Sequence, residues 1–139
     1  MILSVAARCL LPTRRLAVLG FLLAGLAACT TALPEHLGPT YVVFFTPFSA
    51  DLDDAALGVI ADAGRAAQGA PGHRVVVAGY ADRVGSTAAN QTLSKLRVQV
   101  VADRLAAGNV DRGRIALRPK GSVGGDPGVE SRRVEIDIY

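Results

Sequence analysis

Asp82 and Arg97 are the residues of this 139-residue chain best suited by type and position to bind a charged small molecule. Asp82 closes an apolar run that contains Val75, Val76 and Val77 and reads as a buried strand. Arg97 lies in a following segment whose apolar residues recur at helical spacing. Projected at about 100° per residue, Leu93, Val98, Val101, Ala102 and Leu105 share one broad face. Arg97 falls between Leu93 and Val101, inside that face. Three readings are open. The arginine snorkels, with its stem packed and its head in water. The two charges close on each other as a structural ion pair, since either one buried alone is costly. Or both heads face an open groove, where Asp82 accepts a ligand ammonium and Arg97 forks onto a ligand carboxylate. Helix-start amides near Thr87 and Ala88 would add positive partial charge for the same anion. That third arrangement suits a zwitterion with both groups on one carbon.

Other chemistries find little support. His36 and His73 form no cluster with metal-ligand spacing, so neither metal nor cofactor is expected. The glycine-rich run from Gly121 to Gly128 precedes a strand, where a phosphate loop would feed a helix. No nucleophile–base pair is visible, and the chain is not expected to be an enzyme. The net charge of +3 comes from the first segment. Residues 1–28 hold Arg8, Arg14 and Arg15 and no acid, leaving 12 basic and 12 acidic residues in the remainder. There is no basic field to attract nucleic acid.

The elements that must position Asp82 and Arg97 follow from periodicity. Residues 40–45 (TYVVFF) read as a strand stopped by Pro47. Asp53 or Asp54 caps a helix over 54–67, with Leu57, Ile60, Ala61 and Gly64 on its apolar side. Residues 74–79 form a second strand, buried on both faces and so central in its sheet. A helix spans 87–107 and ends at Gly108-Asn109. Residues 114–118 form a third strand and 132–138 a fourth, with Val134, Ile136 and Ile138 alternating against Arg133, Glu135 and Asp137. Residues 119–131 between them read as a loop. The order βαβαββ predicts an α/β (α+β) two-layer sandwich built on one core.

The opening segment reads as an export signal: arginines, then an apolar run of about 11 residues, then small residues. The run is shorter than the about 20 residues needed to span a bilayer. Leu26-Ala27-Ala28-Cys29 resembles the lipobox of bacterial lipoproteins. That resemblance implies cleavage before Cys29 and diacylglycerol, with a further acyl chain such as palmitate, on the new N-terminus. Thr30, which is not aspartate, favours the outer membrane by resemblance to the enterobacterial sorting rule. The expected layout is a signal peptide (1–28), a lipidated tether (29–39) reaching roughly 30 Å, and one periplasmic domain (40–139).

Gly79-Tyr80-Ala81-Asp82-Arg83-Val84-Gly85, followed by Leu93-Ser94-Lys95-Leu96-Arg97, resembles the Gly-His-Thr-Asp-x-x-Gly and Leu-Ser-x-x-Arg motifs of the OmpA-like peptidoglycan-binding family. The spacing of Asp82, Asn90 and Arg97 matches. Val43-Phe44-Phe45 with the turn after it, and Ser131-Arg132-Arg133-Val134-Glu135-Ile136, resemble its first strand and its closing Asn-Arg-Arg-Val-Glu-Ile. The resemblance implies non-covalent binding of peptidoglycan at diaminopimelate, with Asp82 on the ammonium and Arg97 on the carboxylate. The resemblance likewise implies that Asn90 and Ala81 lie beside the ligand and that Gly79, Gly85 and Ser94 support the loop. Departures from the pattern are Tyr80-Ala81 for His-Thr, Ala89 for a tyrosine, Thr46-Pro47 for an acidic turn and Ser131 for asparagine. They bear on affinity and on which stem variant is preferred, an amidated one included. Anchor, tether and domain together are similar to the family's lipoproteins of the Tol system, which implies Tol-type envelope proteins as partners, although no residue here identifies one. The expected function is to tether the outer membrane to the wall. The rival expectation is an envelope protein-interaction module that keeps the fold without wall binding. A shared open groove for Asp82 and Arg97 would favour the first, a closed salt bridge under a lid the second.

Overall fold

The structure is a computed structural model that describes residues 38–124 and 128–139. The expected signal peptide, Cys29 and residues 30–37 of the tether lie outside the described residues. The elements are β1 (Tyr41–Phe44), α1 (Asp54–Gly69), β2 (Val75–Ala81), α2 (Thr87–Ala107), β3 (Ile115–Ser122) and β4 (Arg133–Ile138), with short 3₁₀ turns at Arg112–Arg114 and Val129–Ser131. This is the βαβαββ order expected, in one four-stranded sheet ordered β1-β4-β2-β3.

Alternation in β4 decides which face meets the helices. Val134, Ile136 and Ile138 are buried, and β4 runs antiparallel to both β1 and β2. Its register sets Val43 against Val134 and Ile136 against Val77. These join Val75, Ile60, Val98, Val101 and Leu105 in the core. β2 lies between β4 and β3, the interior position its apolar run predicts. It pairs in parallel with β3, the two being joined across α2.

α1 begins where Asp53 accepts a hydrogen bond from the Ala56 N–H at 2.7 Å. Its buried stripe is Ala56, Ile60, Ala63, Gly64 and Ala67. The expected face is therefore corrected: Leu57 is half-buried and Ala61 exposed. Small residues carry little hydrophobic signal, yet they let the helix come close to the sheet. α2 starts at a Ser86 cap, whose Oγ accepts from the Ala89 N–H at 3.1 Å. It sits tightly on β2, since a Cβ on Gly79 would lie 2.4 Å from Val98 Cγ1 and 2.8 Å from the Ser94 carbonyl oxygen. Gly79 thus belongs to the strand and its packing, not to the supporting loop.

β3 is longer than expected and takes in the first residues of the presumed loop. Pro119 lacks an N–H, which an edge strand tolerates. The register shifts opposite Gly79 and Tyr80, and Gly121 takes φ +68° there. Ser94 Oγ accepts from the Gly121 N–H at 3.0 Å and donates to the Gln91 carbonyl at 2.9 Å, tying α2 to that irregularity. No helix among the described residues is long and apolar enough to cross a membrane.

Candidate functional site: a buried charge cluster at the sheet end

β2 ends at Ala81, so Asp82 leaves the sheet beside the start of α2. Its Oδ1 accepts from the Val84 N–H at 3.0 Å, which turns the chain toward the helix. Its Oδ2 lies 3.5 Å from Arg132 Nη1. Arg132 reaches it because β4 is antiparallel to β2, so the start of one strand adjoins the end of the other. Arg132 also donates from Nε to the Phe45 carbonyl at 3.3 Å, while its own carbonyl accepts from the Phe45 N–H at 2.9 Å.

Arg97 is 0% exposed and is the largest fully buried side chain among the described residues. Nε donates to the Ser49 carbonyl at 2.9 Å, Nη1 to that of Tyr80 at 3.0 Å and Nη2 to that of Thr46 at 3.1 Å. The guanidinium carbon lies 4.9 Å from the centre of the Phe45 ring. Arg97 therefore stitches three segments together: α2, the end of β2, and the turn between β1 and α1. Burial lowers its pKa to about 10; the Asp82 charge opposes that shift and the Arg132 charge adds to it. It remains a cation at neutral pH.

The snorkelling reading is overturned, because the Arg97 head is enclosed. The direct Asp82–Arg97 bridge is overturned too, because the ion-pair partner of Asp82 is Arg132. Nor do the two heads share an open groove, Asp82 being only 9% exposed. The open groove nearby, of about 480 Å³, lies between the 46–49 turn and the first half of α2 and is walled by Phe48, Val84, Leu93 and Leu96. Asn90 lines it, but its Nδ2 donates to Ser122 Oγ at 2.9 Å, a tie between α2 and β3. Ala81 is buried in β2, Gly85 turns the loop at φ +99°, and Ser94 is buried against β3. Tyr80 joins the cluster by its carbonyl alone. Its ring lies on the other face of the sheet, 4.4 Å below the Arg133 guanidinium.

Arg132 is the residue that sequence reasoning missed as the partner of Asp82. The signal was present: it shares the parity of Val134, Ile136 and Ile138, so it is a charge on a core-facing row, as Arg97 is. Among the described residues no group of three or more His, Cys, Asp or Glu could hold a metal ion.

Comparison with known proteins matches residues 44–133 to the model of the OmpA family. Outer membrane protein A of Klebsiella pneumoniae is 50% identical over 46 residues, 33% of this chain; the chain spans only 13% of that relative's length. The fold is shared with the peptidoglycan-associated lipoprotein of Burkholderia pseudomallei, at a TM-score of 0.66 and 18% identity over 71% of this chain and 90% of that one. It is shared also with the OmpA-like domain of FopA1 from Francisella tularensis, at a TM-score of 0.64 and 24% identity over 70% of each chain.

Proposed function

This chain belongs to the OmpA family, and from that premise we propose that its domain binds peptidoglycan non-covalently at the diaminopimelate of the stem peptide. Cys29, as a lipidated N-terminus, would hold the domain at the periplasmic face of the outer membrane, so that the protein tethers membrane to wall. Asp82 accepts the ligand ammonium. Arg97, the position given to the carboxylate by the family pattern, supplies the opposite charge. The activity is binding, without a catalytic step.

The observation that carries this reading is the charge cluster itself. Asp82, Arg97 and Arg132 are held largely out of water at the end of a sheet. Apolar residues of similar volume would often stabilise such a site equally well or better. The shared fold with a protein described as a peptidoglycan-associated lipoprotein supports the same reading. A Tol-type envelope protein is the proposed protein partner.

Two observations favour the rival, an interaction module: Asp82 and Arg97 share no open groove, and an exposed apolar surface, at Phe48, Val84 and Leu96, lies beside the cluster. Co-sedimentation of the full chain with purified sacculi separates the two. Wild type is expected to pellet and Asp82→Ala to stay in solution. Equal pelleting of both, or of neither, favours the interaction module.

A further inference from the structure

Arg97 and Arg132 both feel the charge of Asp82, but only Arg132 pairs with it, and their bonding differs sharply. Arg97 is enclosed, with each guanidinium nitrogen within 3.1 Å of a carbonyl oxygen. Arg132 keeps its side chain 15% exposed, and its two bonds are long, 3.3 Å to Phe45 and 3.5 Å to Asp82. Its Nη2 donates to none of the described residues. A guanidinium offers five donors in a planar fork that matches a carboxylate. Arg132 has donors to give without breaking anything; Arg97 must first release the carbonyls of Thr46 or Ser49.

Charge balance points the same way. One carboxylate faces two guanidiniums, so the cluster carries a positive excess. A ligand ammonium arriving alone at Asp82 would add a third cation. An ammonium that brings a carboxylate with it adds no net charge, and its carboxylate can face the excess guanidinium.

We infer that Arg132 is a ligand-binding residue of this domain, donating through its fork to the free carboxylate of the amino-acid centre whose ammonium Asp82 accepts. The inference rests on the peptidoglycan reading and adds a specificity to it. The site prefers a diaminopimelate whose carboxylate is free over one whose carboxylate is amidated, because an amide cannot accept two charge-assisted bonds.

The test compares two preparations of sacculi, with free and with amidated diaminopimelate, against the full chain in detergent. Wild type is expected to bind the free form about tenfold or more tightly than the amidated form. Arg132→Ala is expected to lose about tenfold on free sacculi and less than about twofold on amidated ones. Arg132→Lys, which keeps the charge without the fork, is expected to fall between. Equal losses on both sacculi, or wild-type binding by Arg132→Ala, would overturn the inference. If Arg132→Ala does not fold, Arg132→Gln replaces it, and an absence of free-over-amidated preference in wild type is itself decisive against Arg132. Asp82→Asn separates the two levels. Undiminished binding by Asp82→Asn sinks the peptidoglycan site altogether, whereas loss by Asp82→Asn with retention by Arg132→Ala removes only the role of Arg132.

Discussion

Arg97 donates to the main-chain carbonyl of Tyr80 at 3.0 Å, while the Tyr80 ring lies across the sheet beneath Arg133. The residue that replaces the family's usual histidine therefore serves the charge cluster through its backbone. Its side chain belongs to a separate set with Arg133 and Glu135. Exchange of that side chain is expected to leave the Asp82 cluster intact.

The Tyr80 ring supplies a pH test. Partial burial, helped by the charge of Glu135 and by a hydrogen bond to it, raises the phenol above 10, and Arg133 opposes the shift. The folded chain thus keeps a proton that the unfolded chain gives up. The Tyr80 contribution to stability is complete below pH 10 and is lost as pH rises through the raised pKa. Phenolate absorbance is expected to show a tyrosine ionising above pH 10 that disappears in Tyr80→Phe. Urea unfolding is expected to show a shallower alkaline loss of stability in that variant. An unchanged alkaline slope would count against the Glu135 contact.

Arg97→Ala is expected to be among the most damaging substitutions. It removes a buried cation, opens a cavity and leaves the carbonyls of Thr46, Ser49 and Tyr80 without their donor. Breaking such a buried arrangement costs about 3–5 kcal/mol. Chemical denaturation without any ligand measures it. A loss below about 1 kcal/mol would mean that water replaces the guanidinium readily. Loss of wall binding in Arg97→Ala is therefore weak evidence of ligand contact, and Asp82 and Arg132 are the better probes.

Much of this was legible in the residues. The long helical stripe of α2 and the clean alternation of β4 fixed the layers, and Arg97 stood out as a charge in an apolar row. The buried face of α1 was less legible because Ala56, Ala63 and Gly64 carry almost no hydrophobic signal. The continuation of β3 through Pro119 was hidden because edge placement, which excuses the missing donor, is a property of the sheet. The Asp82–Arg132 pair joins residues 50 positions apart. Only the antiparallel pairing of β4 with β2 brings them together. Arg114 is a similar case: its donors reach the carbonyls of Ala67, Ala70 and His73 and close the end of α1.

Gly79→Ala tests how closely α2 must lie on β2. The added methyl group would meet Val98 Cγ1 and the Ser94 carbonyl, and the latter is backbone that yields only if the helix shifts. Overpacking of this kind costs about 1–3 kcal/mol. Displacement of Ser94 would also loosen its bond to the Gly121 N–H. The expected result is a lower unfolding midpoint with faster amide exchange at Gly121. A midpoint equal to wild type would show that Val98 can rotate away and that the helix is less tightly seated than its contacts imply.

Phe48→Gly is expected to stabilise the protein, against the usual direction for loss of an aromatic residue. Phe48 adopts φ +56° and is 71% exposed, so its ring contributes little burial while its backbone carries left-handed strain. That conformation costs an L-residue roughly 1–2 kcal/mol. Glycine removes the strain but adds unfolded-state freedom worth about 0.5–1 kcal/mol. The balance is a gain of roughly 0.5–1 kcal/mol, read as a higher urea midpoint at unchanged slope. The same turn supplies the Thr46 and Ser49 carbonyls that cover Arg97. A stabilised turn holds that cover more firmly, so any ligand that must displace it is expected to bind more weakly by up to the same factor. A fall in stability would show instead that the Phe48 ring packs along the groove wall and holds the turn in place.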